Sequence, residues 1–358
     1  MTTDATVEQQ EPSGVAAVLS RQASFDFIGR SRLFLIVSLA VLAIALIGGL
    51  WRGLNFSIEF TGGTGYTVTN ATAEFTADGI REALADLGVE GALVQVVDEG
   101  EGALISTPAL DEIGGEQARE VLAEISELTG AGDEDIAVNA VGPRWGDQIT
   151  RQSLRGLLVF LVLVALYIAL RFEARMAAAA IVTLLHDIAL TIGLYAIVGF
   201  VVSPASVIAF LTILGYSLYD TVVVFDRVKE DTAGLSSVST VTYGESANAA
   251  LNEVLVRSLS TSLTSLLPVG SLLFIGAQLL GAETLQDLAL ALFIGMAIGT
   301  YSSIVVATPF LVWLKEKEPK WRDLKEKVES RRGGSPQPAP TAPASAKKTQ
   351  SGKGKRRR

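Results

Sequence analysis

Apolar residues in this chain come in long uninterrupted runs. The first, 33–50, carries no charge and is close to the roughly 20 residues that take a helix across about 30 Å of hydrocarbon. Trp51 and Arg52 follow it as interfacial anchors, with no small-residue cleavage pattern, so a retained anchor is expected rather than a processed leader. Five further runs, 154–170, 176–199, 205–225, 258–280 and 288–314, predict five more spans. Six spans leave both ends of the chain on one side.

Between the first two runs the pattern changes. Residues 65–70 read as a strand, 76–87 as a helix, and 92–98 and 103–107 as two strands around the turn-like Glu99-Gly100-Glu101-Gly102. A second helix over 115–128 and a strand over 135–141 complete the order β-α-β-β-α-β, the ferredoxin-like arrangement. The expected fold class is an α-helical polytopic membrane protein. It has six transmembrane helices and one small extracytoplasmic α+β domain between helices one and two.

Charge sets the orientation. Segment 53–150 holds 19 acids and three bases (Arg81, Arg119, Arg144), a net of −16 in a chain whose total is −9. Outside it, Arg21, Arg30 and Arg32 precede span one, Arg171 and Arg175 link spans two and three, and Arg227, Lys229 and Arg257 link spans four and five. Basic loops stay in the cytoplasm, which puts both termini there. Arg144, Arg151 and Arg155 on the outer flank of span two are exceptions that a folded domain carries across with it. The expected organisation is a cytoplasmic segment 1–32, span one over 33–52, the outer domain 53–150 and spans two to six over 151–314 with a cytoplasmic loop 227–253. A basic disordered tail, 315–358, follows. Its end, 353–358, offers six residues of which five are Lys or Arg, suited to anionic lipid, to ribosomal RNA or simply to solubility.

Composition narrows the chemistry. With 49% apolar and 19% charged residues, and a mean hydropathy of +0.41, an ordinary water-soluble enzyme is excluded. The absence of cysteine removes disulfides, thiolate nucleophiles and iron–sulfur ligation, and a single histidine, His186, removes multi-histidine metal sites. No cofactor or metal is expected.

An ionisable side chain at membrane depth costs at least ~2.5–3.5 kcal/mol, which makes each one a functional candidate. His186 and Asp187 fall in span three, Asp220 in span four and Arg257 near the start of span five. At 1.5 Å per residue, Asp220 lies roughly 10 Å and Arg257 about 8 Å from the basic edge, so the two can pair as a proton-sensitive switch or as a permanent brace. Asp187, roughly 18 Å deep, reads either as a second proton station or as a neutral carboxyl hydrogen-bonded across helices beside His186. Successive helix residues point about 100° apart, so His186 and Asp187 are not expected to face one pocket together. Span five adds Ser258, Ser260, Thr261, Ser262, Thr264 and Ser265, and span six adds Gly295 and Gly299 at small-xxx-small spacing, read as close packing or as a wet hydroxyl path.

Leu54-Asn-Phe-Ser-Ile-Glu-Phe-Thr-Gly-Gly-Thr64, centred on Phe60, Thr61, Gly62, Gly63 and Thr64, is similar to the GxDFTGGT signature of the SecD/SecF family of protein-export membrane subunits. VGPRWGDQI (141–149), LLHDIALTIG (184–193), ILGYSLYDTVVVFDRVKE (213–230) and NEVLVRSLSTSLTSLLPV (252–269) follow in order. Tyr219 stands where the family commonly has Asn, and Ser57 and Glu59 stand near a position usually held by Asp. The resemblance implies a six-span SecF-type subunit that pairs with SecD at the SecYEG channel and uses the proton-motive force to pull preproteins after the SecA motor. YajC is a further partner and membrane lipids are the surroundings. The resemblance places the proton relay on Asp220 and Arg257; Asp187, His186 and Thr261 are secondary candidates from their own position and chemistry.

Three other functions compete with this one. A proton-driven exporter of lipids or small molecules, of the wider resistance-nodulation-division type, generally has twelve spans and two large outer loops. An intramembrane protease lacks a GxGD partner motif here and would rest on His186 alone as a serine type. A non-catalytic scaffold for the translocon differs from the relay only in how it responds to loss of Asp220.

Overall fold

The computed structural model describes residues 25–97, 100–110, 115–236, 238–277 and 283–333. Among them are six helices long and apolar enough to cross a membrane. Span 1 is Ser31–Arg52, span 2 Pro143–Arg171, span 3 Ala174–Val198, span 4 Pro204–Ala233 and span 5 Tyr243–Ser271. Span 6 starts as Glu283–Ser302, passes through a π-helical segment Ser303–Ala307 and ends as Thr308–Lys315. The basic end of span 6 marks what is called the tail side, opposite the side that bears the α+β domain.

Local signals rather than hydropathy decide where these helices stop. Span 4 opens with a reciprocal Ser203/Ser206 capping box and Pro204 in its first turn, and span 5 with a Thr242/Glu245 box in which Glu245 accepts the Thr242 N–H at 2.8 Å. Both run past their apolar stretches. Arg227 holds Asp231 at 3.0 Å and Glu253 at 2.5 Å, which ties the two polar extensions together. The connection expected over 227–253 therefore shrinks to 234–242. Span 2 likewise begins at Pro143, well before its first apolar run.

The tail also departs from expectation. A helix, α3, covers Pro319–Arg332 because Trp321, Leu324 and Val328 recur on one face and are buried. Trp321 packs on Tyr243 at the start of span 5, ring centroids 4.8 Å apart, and Arg332 hydrogen-bonds Glu245 and the Thr240 carbonyl. The end of the tail, 334–358, and Arg21 in the N-terminal segment lie outside the described residues.

The domain after span 1 has a four-stranded antiparallel sheet in the order β3-β4-β2-β5. Its strands are β2 Gly63–Val68, β3 Leu93–Val97, β4 Gly102–Thr107 and β5 Ile136–Val141. Helices α1 (Ala77–Asp86) and α2 (Glu116–Thr129) sandwich a core of Tyr66, Ile80, Leu84, Ile105, Val121 and Ile125 against one sheet face. This is the expected ferredoxin-like arrangement. A two-residue strand, β1 (Asn55–Phe56), pairs in parallel with β6 (Val201–Val202), the turn between spans 3 and 4. The stalk of the domain is thereby fastened to the ends of those two spans.

Two predictions follow from these joints. Gly63 has φ +146°, and a Cβ there would stand 2.2 Å from the Thr107 carbonyl oxygen. Gly63→Ala is expected to cost about 1–3 kcal/mol through backbone strain alone, read as a lowered melting temperature and a lower steady-state amount in the membrane. Glu173, between spans 2 and 3, accepts a hydrogen bond at 2.5 Å from Lys315 at the end of span 6. That contact, followed by the charge of Lys315, holds the Glu173 carboxyl below its ordinary value of 4.5. A depressed carboxylate stabilises the fold above its unfolded value and loses that contribution as pH falls through its folded one. Glu173→Gln is therefore expected to lower the melting temperature at neutral pH and to leave it unchanged in strong acid.

Candidate intramembrane carboxylate site

Asp220 sits near the middle of span 4 and is 5% exposed. Ser258 of span 5 brings its hydroxyl to 2.7 Å from both carboxylate oxygens, and Ser303 of span 6 donates to Oδ2. One carboxylate thus ties three spans together through two hydroxyls. Hydrogen bonds to a charged group contribute about 1.5–3 kcal/mol each, so two of them match the ~2.5–3.5 kcal/mol needed to hold an acid at this depth.

Asp187, in span 3, is completely buried. Its Oδ2 accepts from Ser217 of span 4 at 2.5 Å and from Ser302 of span 6 at 2.7 Å. Oδ1 lies 3.0 Å from Nδ1 of His186, whose Nε2 lies 2.8 Å from the Ser38 hydroxyl of span 1. Contrary to the expectation from helix geometry, the His186 and Asp187 side chains meet, and the ring links the carboxylate to span 1. The packing that permits this is close: a Cβ on Gly295 would stand 2.1 Å from Ile213, and one on Gly299 3.0 Å from the Ser217 side chain. Small residues at these two positions let span 6 reach span 4, and Ser302 and Ser303 then face one carboxylate each.

The expected direct pairing of Asp220 with Arg257 is absent; among the described residues no ion pair within 4.0 Å joins them. Ser258 takes the facing position, and Arg257, one residue earlier and about 100° round the helix, lies on the exposed surface of span 5. Thr261 is half-buried and donates to the Arg257 carbonyl at 2.9 Å, continuing the same surface stripe as Ser260 and Thr264. Tyr219 is 61% exposed and points away from the carboxylate beside it.

The signature turn lies elsewhere. Ile58–Thr61 forms one helical turn after Ser57, and Gly62 and Gly63 then carry the chain into β2, where Thr64 pairs with Thr107. Phe60 and Thr61 line a cavity of about 350 Å³ between this turn and spans 2, 3 and 4, with Tyr195, Val207 and Phe210 among its other walls. The turn joins the domain to the membrane-spanning helices, distant in sequence from the carboxylates.

Sequence reasoning missed several of the groups that matter. Ser217, Ser302 and Ser303 carry no charge, and serine in a span is common enough to pass as packing. Asp287 lies one residue before the run assigned to span six, yet the helix starts at Glu283 and takes it in, half-buried near Ser203 and Glu59. Extending the helical register of 288–314 backwards by a single residue would have found it.

Comparisons with known proteins agree with this architecture. The family described as "Protein export membrane protein SecD/SecF, C-terminal" matches residues 121–317. The chain is 43% identical over 312 residues to the protein translocase subunit SecF of Streptomyces coelicolor, covering 87% of this chain and 82% of that one. To the SecF subunit of Mycobacterium tuberculosis it is 40% identical over 351 residues, covering 93% and 78%. The crystal structure of SecDF, a translocon-associated membrane protein from Thermus thermophilus, superposes with a TM-score of 0.72 at 33% identity. That likeness covers 86% of this chain but only 40% of the longer SecDF chain. With matches of this extent through its spans and its outer domain, the chain belongs to the SecD/SecF family of protein-export membrane proteins.

Proposed function

We propose that the chain is a non-enzymatic, proton-coupled subunit of the bacterial protein-export translocase. It works with SecD at the SecYEG channel on preproteins that the SecA motor has already pushed through; YajC is a further candidate partner. A relative in which one chain carries the name SecDF supports the pairing with SecD. The clustering of Arg30, Arg32, Arg171, Arg175, Arg227 and Lys229 on the tail side favours cytoplasmic termini and an outer domain on the far face of the membrane.

The observation that carries the reading is Asp220, an acid 5% exposed inside an apolar bundle with hydroxyls as its partners. Ionised, it accepts from Ser258 and Ser303 and draws spans 4, 5 and 6 together. Protonated, it donates to one of the two serines instead of accepting from it, its bonds become neutral ones of about half the strength, and the hold between the spans loosens. Each proton crossing 100 mV releases roughly 2.3 kcal/mol, the size of one such hydrogen bond. Motion of span 4 reaches the outer domain through the β1–β6 pairing at the end of the span.

Arg257 fits the same scheme from outside. A guanidinium facing acyl chains at this depth is costly, so the stripe of Arg257, Ser260, Thr261 and Thr264 on span 5 suits burial against the helices of the partner. The cavity beside Phe60 and Thr61 gives some support to a second reading, export of a lipid or small apolar molecule.

In a strain depleted of its own subunit, Asp220→Asn is expected to reduce preprotein secretion to the depleted level while the protein still accumulates in the membrane. Normal secretion in that strain would overturn the relay and leave a scaffold. Ser258→Ala should give an intermediate defect, since one hydrogen bond of about 1.5–3 kcal/mol is lost. Transport of a labelled lipid by the purified chain without any partner would decide for the exporter.

A further inference from the structure

Asp187 is the buried acid that the scheme above leaves unused. It is linked to Asp220 twice over. Ser217, which donates to Asp187, lies one turn before Asp220 on span 4, and Ser302 and Ser303, neighbours on span 6, donate to Asp187 and Asp220 respectively. All five groups are at most 5% exposed.

Each of the two serines also has a second acceptor. The Ser302 hydroxyl lies 3.2 Å from the Gly299 carbonyl, and that of Ser303 lies 3.1 Å from the Thr300 carbonyl. A hydroxyl owns one proton and can satisfy one acceptor fully at a time. While the carboxylates are ionised the hydroxyls point at them. The π-helical segment begins at Ser303, so the carbonyls that compete for these protons belong to the turn where span 6 changes its hydrogen-bond register.

A void of about 10 Å³, the room of roughly one water molecule, borders Asp187 together with Thr191 and Ile213. Ile188, Phe210 and Leu214 line both this void and the domain-side cavity. Of the two serine-bound carboxylates, Asp187 is thus the one nearer the domain side, behind three apolar side chains. The ionisable groups nearest it are His186 on its own helix, Asp220 on span 4 and Tyr301 on span 6, whose ring centroid lies 6.5 Å from that of His186. On the helices packed against span 3, the further charged groups lie toward the ends: Arg32 and Arg52 on span 1, Arg144, Asp147, Arg151, Arg155 and Arg171 on span 2, residues 226–231 on span 4, and Asp287 and Lys315 on span 6.

We propose that Asp187 is a second proton-binding site, loaded from the domain side, and that Ser302 and Ser303 are positioning residues that make its protonation and that of Asp220 depend on each other through span 6. A proton arriving at Oδ2 of Asp187 forms an O–H bond there and turns that oxygen from acceptor to donor. The carboxyl then donates to Ser302 Oγ, and the Ser302 proton swings to the Gly299 carbonyl. No other covalent bond changes. The same exchange at Asp220 sends the Ser303 proton to the Thr300 carbonyl, and back-bonding of this kind bends a helix. The inference rests on the proton-coupled reading for its purpose, but its geometry and its test stand apart from export.

Infrared difference spectra between acidic and neutral pH, on the full chain copurified with its partner, test the proposal through the C=O bands of protonated carboxyls. Two buried bands are expected, assigned by Asp187→Asn and Asp220→Asn, and each substitution should displace the remaining band. Ser302→Ala/Ser303→Ala should keep both bands but abolish the cross-displacement, and should lower proton-driven export about tenfold, within the range of substitutions in coupled networks. Ser302→Thr, which keeps the hydroxyl, should restore both if the alanine variant folds poorly. A single responsive carboxyl, or an Asp220 band indifferent to Asp187→Asn and to both serines, overturns the proposal. Cross-displaced bands alongside normal export by Asp220→Asn would uphold this pair of sites while removing the translocation reading.

Discussion

Hydrocarbon offers no water to a buried polar group, so every ionisable side chain inside the bundle has to find its partners on neighbouring helices. Here those partners are hydroxyls, joined at Asp187 by the His186 ring. Asp187 and Asp220 hold spans 1, 3, 4, 5 and 6 in register through Ser38, His186, Ser217, Ser258, Ser302 and Ser303. A guanidinium partner would fix an acid in its charged form. A serine accepts as readily as it donates, and so tolerates either protonation state.

That tolerance explains the rest of the architecture. Spans 3, 4 and 6 must be close enough for short serine side chains to reach, which is why Gly295 and Gly299 face Ile213 and Ser217. Spans 3 and 4 connect outward through β6 to the stalk of the α+β domain, where Gly63 lets β2 run against Thr107. A change in hydrogen bonding at the carboxylates therefore has a short, packed route to the part of the molecule outside the membrane. Spans 1, 2 and 5 are mostly exposed along their apolar windows, leaving lipid and partner helices to cover them.

Much of this was legible in the sequence because hydrocarbon imposes long apolar runs and a pleated sheet imposes alternation. Six spans and the βαββαβ order came from those two patterns. Asp187, Asp220 and His186 stood out as charges in apolar surroundings. What the sequence hid was anything set by contact between distant segments: Ser303 meets Asp220 across 83 residues of chain. Equal depth suggested that Arg257 faced Asp220, but depth says nothing of rotation about the helix axis, and a one-residue offset put Ser258 there instead. The tail-side extensions of spans 4 and 5 and helix α3 were missed for a related reason. Their stability comes from capping boxes, ion pairs and a narrow Trp321–Leu324–Val328 stripe, none of which raises mean hydropathy.

The central claim is that the protonation state of Asp220 is coupled to work done on a passing polypeptide. The most direct measurement is proton uptake by sealed vesicles containing the translocase with this chain and its partner, under an imposed proton gradient, while a preprotein is in transit. The account predicts a flux that rises with translocation and disappears in Asp220→Asn. An equal flux in the two, or translocation at full rate with none, would contradict it.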